Sequence, residues 1–310
     1  MTNIKKIGLT ALAGSLAATS AFAGALDVTG TAKLTYVSQD ETEVTGNPFS
    51  MSQGIGFSGS GDLDNGMTIN YGYTMSDAAF SSSTLKLDMG DMGTLSYSDG
   101  AGSTGISAYD DKMPTAGEEV WDDLDGQANG IATISNKGTL GYSGAFAGIG
   151  VSISYNPDDA AAPATTDGAS KSIVLSADVA GANVFVGVGD KATAASNAST
   201  DLQTMGATYS NGAVTLGLQA TVIDVTAASS DVDRLGAAIS FAVNENLSIS
   251  YGISTVDFEA KNNDQEDSGV AVSYTMGSMT LGAFHNTSEN VGGAATTDDS
   301  VTEISLAFAF

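Results

Sequence analysis

The chain is 310 residues long and carries 36 acidic against 10 basic side chains, a formal charge of −26, with no cysteine. Such a surplus of carboxylates repels polyphosphate and excludes a nucleic-acid partner, and the lack of cysteine excludes disulfide staples and thiol chemistry. Hydrophobic residues make up 42% of the sequence, yet beyond residue 23 no apolar run is long enough for a transmembrane helix, so these residues must be placed by another pattern.

Residues 1–23 read as an export signal. Lys5 and Lys6 precede an apolar stretch that is too short to span, and Ala21-Phe22-Ala23 supplies the small-residue cleavage site. Cleavage after Ala23 removes two lysines and no acid, which leaves 8 basic against 36 acidic residues in a single domain, residues 24–310, with a formal charge of −28.

From Leu26 the sequence alternates. Leu26, Val28, Ala32, Leu34 and Tyr36 share one face and Asp27, Thr29, Thr31, Lys33 and Thr35 the other, the period of a half-buried strand. Phe49, Met51, Ile55 and Phe57 form the next apolar row, and a turn at residues 62–66 leads into Met67, Ile69, Tyr71, Tyr73 and Met75. Leu85, Leu87 and Met89 follow with Lys86 on the polar face, then a turn at residues 90–93 and the row Leu95, Tyr97. Alternation fails over residues 99–137 and resumes at Leu140. From there successive rows are joined by short turns, among them Ala180-Gly181 and Asn211-Gly212, the latter a strong hairpin signal. The final segment places Ile304, Leu306, Phe308 and Phe310 on one face and Glu303, Ser305, Ala307 and Ala309 on the other. Its length, about ten residues, suits a tilted strand crossing a bilayer.

Rows of this kind predict an all-β fold, a transmembrane antiparallel barrel of about 16 strands, because in hydrocarbon a sheet must close on itself. Short turns near residues 62, 90, 145, 180, 211, 243 and 277 alternate with longer, mostly acidic connections. Both termini then lie on the short-turn, periplasmic side. Most tyrosines fall on the outward rows, as an interfacial girdle does.

The stretch 99–137 holds Trp121, the chain's single tryptophan, and the acids Asp110, Asp111, Glu118, Glu119, Asp122, Asp123 and Asp125. A loop this long is usually functional or disordered. Asp123-Leu124-Asp125-Gly126 is similar to the middle of a calcium loop, but Trp121 and Ala132 stand at its first and last ligand positions, which excludes an EF-hand. Carboxylates this dense can still hold a divalent cation such as Ca2+ at Asp122, Asp123 and Asp125; no other cofactor is expected. The G-x-G-x-x-G at residues 54–59 lies within a strand with no following helix, so small inward residues explain it better than a dinucleotide site. His285 is the only histidine and the sole candidate base for a barrel hydrolase.

The hairpin through Phe57 and Asp62 to Met67, the turn Leu87-Asp88-Met89-Gly90-Asp91-Met92-Gly93 and the alternating aromatic C-terminus resemble those of the Gram-negative general-diffusion porins, alphaproteobacterial type. The resemblance spans the mature chain. It implies a sixteen-stranded barrel that is usually a homotrimer and whose third loop folds into the pore as its constriction. It also implies that Ile304, Leu306, Phe308 and Phe310 form a signal read by the outer-membrane assembly machinery. The surroundings it implies are outer-membrane lipid and lipopolysaccharide, with small hydrophilic solutes passing through the lumen. Porins of this kind usually line the wall facing the loop with arginines; this chain has only Arg234, with Lys33 and Lys86, so the transverse field should be reduced.

The expected function is passive diffusion of small hydrophilic solutes and ions, not enzymatic chemistry. By strand parity the wall cations Lys33, Lys86 and Arg234 nearly cancel Asp27, Asp88, Asp178 and Glu303, so the loop acids tip the channel toward cations. Two other readings compete: a secreted acidic β-rich surface protein or adhesin, which should show polar residues on both strand faces, and an outer-membrane barrel hydrolase, which needs His285 on a working face.

Overall fold

A computed structural model describes residues 26–40, 46–100, 104–125, 138–157, 169–192, 199–226 and 231–310; the export-signal reading of residues 1–23 falls outside them. The first eight strands are β1 (Asp27–Gln39), β2 (Phe49–Asp62), β3 (Thr68–Ser76), β4 (Ala79–Asp88), β5 (Thr94–Asp99), β6 (Thr139–Phe146), β7 (Ile149–Asn156) and β8 (Ser170–Val179). The rest are β9 (Ala182–Ala192), β10 (Ser199–Asn211), β11 (Val214–Val225), β12 (Val232–Ala242), β13 (Leu247–Phe258), β14 (Gln265–Met276), β15 (Met279–Glu289) and β16 (Asp299–Ala309). Every strand pairs antiparallel with its sequence neighbours, and β1 pairs with β16 to close a sixteen-stranded barrel. At the seam Gly30 and Phe310 exchange both backbone hydrogen bonds, at 3.1 and 2.8 Å.

The alternation fixes which side is which. Leu34, Leu85, Leu216, Ile253, Val270 and Ile304 are exposed on the outside, while Thr35, Ser96, Ser154, Thr204, Ser254 and Glu303 are buried within. In water such a surface would aggregate; in a bilayer the apolar rows meet acyl chains and the closed ladder satisfies the strand backbone. Tyr36, Tyr71, Tyr97, Tyr155, Tyr209, Tyr251 and Tyr274 stand exposed on the outer face, as the girdle requires.

One turn was not read from the sequence and another is shifted by one residue. The β3–β4 connection is the pair Asp77–Ala78, both at positive φ (48° and 67°), where the sequence carries no glycine. The turn is tied to β2 instead: the Asp77 N–H donates to the Gln53 carbonyl at 3.0 Å and the Gln53 N–H donates to Asp77 Oδ1 at 3.1 Å. At the β10–β11 hairpin Asn211 still pairs with Val214, so the turn is Gly212–Ala213, with Gly212 supplying the positive φ.

On the long-loop side of β9–β15 the outward row turns acidic. Asp190, Asp201 and Asp224 stand opposite one another on three successive strands, Asp233 opposes Asp257, and Glu266 opposes Glu289. Like charges directly opposed across a ladder are destabilising. Asp201→Asn relieves two such contacts and should therefore raise stability by up to about 1 kcal/mol at low salt, read as a higher urea midpoint in detergent. The gain should shrink in 1 M salt, where the Debye length is about 3 Å.

Candidate functional site

The described part of the connection between β5 and β6 lies inside the barrel. Residues 104–125, the inner loop, run round its inside wall and touch successive strands. The Gly105 and Ile106 N–H groups donate to the Ser152 and Ser172 hydroxyls of β7 and β8, both at 2.8 Å. Further along, the Lys112 N–H donates to Gln219 Oε1 of β11 at 2.8 Å and the Ala116 N–H to Ser250 Oγ of β13 at 2.9 Å. Asn286 Nδ2 of β15 donates to the carbonyls of Glu119 and Asp122 at 2.9 and 3.1 Å. The Asp125 N–H reaches Asp299 of β16, and Lys33 of β1 reaches Glu118 at 3.2 Å.

Two apolar patches add to these bonds. Ile106, fully buried, sits with Val174, Phe185 and Leu202, flanked by Tyr109 and Ile223; the Tyr109 and Phe185 rings lie 5.0 Å apart. Ala116 and Leu124 pack on Ala271, Phe284 and Val301, beside Val37. Burying a side chain such as Ile106 contributes roughly 1.5–3 kcal/mol. The wall leaves room for the loop where it lacks side chains: a Cβ on Gly217, Gly236 or Gly252 would meet Pro114, Met113 or Val120. Gly105 is constrained twice over, by φ +62° and by the Ser154 and Ser172 hydroxyls pressed against it.

Much of the inward face of β1–β4 is left open. Thr29, Thr31, Ser50, Ser52, Thr74 and Lys86 are exposed, so the aqueous passage lies between a hydroxyl-lined wall and the inner loop.

Of the wall cations, one meets a wall acid as parity suggested and is shared with the loop. Lys33 bridges Glu303 at 2.9 Å and Glu118 at 3.2 Å, tying loop to wall. Arg234 lies behind the loop in a small cavity with Asp110, Asp111 and Gln219. Lys86 is the one of the three that stands exposed on the open wall. Two inward acids missing from the sequence inventory, Asp267 and Asp299, are buried.

The loop acids divide. Asp111 is largely buried with one oxygen accepting the Met113 N–H at 2.7 Å; burial, with Glu119 and Asp110 nearby, pushes its carboxyl up to about 7. Burial and the adjoining Glu119 push Asp122 up to about 8. The oxygens of Glu118, Glu119 and Asp122 lie within 4.8 Å of one another. The divalent-cation reading had grouped Asp122 with Asp123 and Asp125, but those two are exposed and Asp123 sits in a left-handed turn (φ 59°). Among the described residues the acids close enough together to share one ion are Glu118, Glu119 and Asp122.

His285 faces outward, its Nδ1 2.9 Å from Thr302 Oγ1 on the next strand. The hydrolase reading thus loses its candidate base from the lumen, and the adhesin reading fails on the apolar outer faces.

Sixteen strands, an apolar outer band and a loop folded along the inner wall define a transmembrane channel. The family model for Gram-negative porins matches residues 8–293, and the chain belongs to that family, whose members are channels of the outer membrane. No curated protein matches the chain. Among solved structures it is similar to the anion-selective porin from Comamonas acidovorans (TM-score 0.69, 16% identity, covering 92% of this chain and 99% of that one). It is also similar to a mutant porin of Rh. blastica (TM-score 0.66, 15% identity, 92% and 100% covered) and to OmpT of Vibrio cholerae (TM-score 0.64, 11% identity, 92% and 97% covered). At these identities the likeness extends to the fold.

Proposed function

We propose that this porin passes small hydrophilic solutes by passive diffusion and prefers cations. The observation that carries the preference is the fate of the wall cations: Lys33 is paired with Glu118 and Glu303, and Arg234 lies behind the loop beside Asp110. The acids of the inner loop, among them the cluster Glu118, Glu119 and Asp122 and the exposed Asp110, Asp123 and Asp125, then outnumber the exposed Lys86 and Lys112 that oppose them. Carboxylates in a narrow aqueous passage concentrate cations, and salt screens the effect. The Comamonas porin is anion-selective by name; opposite preferences on one barrel are a matter of side chains, not fold. Export directed by residues 1–23, which rests on Lys5, Lys6, the apolar run and Ala21-Phe22-Ala23, belongs to the same proposal, as do a homotrimeric state and recognition of Ile304, Leu306, Phe308 and Phe310 by the assembly machinery, which rest on the sequence resemblance.

The reversal potential across a KCl gradient tests it. A cation preference of about two to one is expected, the scale of a few ringed charges in an open pore. It should grow between pH 6 and pH 9, because Asp111 and Asp122, raised to about 7 and about 8, are protonated at the lower pH and ionise on the way up. An anion-selective pore, or a preference unmoved by neutralising Glu118, Glu119 and Asp122 to their amides, would overturn the assignment.

A further inference from the structure

We propose that Gln219 and Asn286 are positioning residues that set the aperture of the channel, acting as uncharged staples on the inner loop, while its exposed acids set ion preference. The inference rests on the channel reading above. A loop inside a barrel has no ladder to join, so its backbone groups need partners from the wall. A side-chain amide is the group that both donates and accepts, with two N–H bonds and a carbonyl on one planar head. Gln219 is 5% exposed; its Oε1 accepts the Lys112 N–H, and its Nε2 donates to the carbonyls of Tyr109 and Asp110 at 2.9 and 3.0 Å. The same Nε2 lies 3.0 Å from Thr204 Oγ1, which orients the amide from the neighbouring strand. Asn286, 1% exposed, holds the carbonyls of Glu119 and Asp122.

The two staples bracket the stretch 113–118 and fix both of its ends. By contrast the Lys33–Glu118 pair joins side chains that are 33% and 43% exposed, and a pair that open to water is weak and screened by salt. The wall is also shaped for Asn286: Gly269 stands opposite it on β14, and a Cβ there would strike the Asn286 amide.

The test compares solute cut-off and single-channel conductance with ion preference. Gln219→Met with Asn286→Leu keeps volume and removes the staples; conductance should rise at least about twofold and larger neutral sugars should pass. Asp123→Asn, at an exposed loop acid outside the staples, should change the reversal potential and leave the cut-off alone. Position can then be restored without either amide. The ideal Cβ of residue 117 lies 3.8 Å from Ala271 Cβ, the usual Cβ separation of a disulfide, about 3.8 Å, and the chain has no cysteine of its own. Gly117→Cys with Ala271→Cys, added to the double variant, should bring back the wild-type cut-off when oxidised and lose it on reduction. Should the double variant fail to fold, Gly269→Ala displaces Asn286 alone and should widen the cut-off in the same assay. A wild-type cut-off in the unstapled protein, or a locked loop that does not restore it, overturns the proposal. A wild-type protein that forms no channel would instead overturn the channel reading.

Discussion

Removing residues 104–125 is expected to raise single-channel conductance roughly two- to fourfold, since a barrel of sixteen strands encloses an aqueous lumen unless something fills it. The loop is what fills this one: it follows the inside wall from β7 to β16 and reaches β1 through Lys33. The same deletion should lower stability. It strips the cover from Val174, Phe185, Leu202, Phe284 and Val301, all buried under or beside the loop on faces that point into the lumen. At about 25 cal/mol per Å² of apolar surface, returning these side chains to water costs several kcal/mol. Conductance measured in planar bilayers and the urea midpoint measured in detergent should therefore move in opposite directions. An unchanged conductance would mean that the ion path does not run past the loop.

Those same apolar residues mark where sequence reading stopped short. The outward rows were legible because a strand repeats every two residues and one face had to be greasy. Ile173-Val174-Leu175 and Val184-Phe185-Val186 break that rule by being apolar on both faces. Such runs signal a strand covered on both sides, and they could have located the loop's landing site on β8 and β9. The staples had no comparable signal. A glutamine or asparagine at an inward position looks like any polar lumen residue, and its partners are backbone groups more than 100 residues away in sequence. Parity read the wall cations as inward, but parity says nothing about what stands across the lumen, and Lys33 meets Glu118 at a separation of 85 residues.

Deleting Phe310 should reduce folded barrel in the outer membrane about tenfold while leaving export intact. The residue closes the pairing of the two ends of the barrel, since its backbone N–H and C=O both bond to Gly30 and extend the β1–β16 ladder by one pair beyond Thr31 and Ala309. Each such bond contributes about 0.5–1.5 kcal/mol net, so losing two shifts the closed-to-open seam equilibrium by roughly a factor of ten or more. The effect falls on the step with the largest loop-closure entropy, because the two strands lie at opposite ends of the chain. An open seam also leaves two strand edges unpaired, a template for aggregation. The ring is a separate matter: it is 79% exposed and continues the outward row of Ile304 and Phe308. Phe310→Leu keeps both hydrogen bonds and an apolar outward group, so the two roles can be told apart by heat-modifiable migration of the membrane fraction. Normal yield in the leucine variant with a loss in the deletion assigns the effect to the seam; a loss in both assigns it to recognition of the aromatic terminus. Normal folded yield in the deletion itself would show that neither the seam pair nor the terminal ring governs assembly.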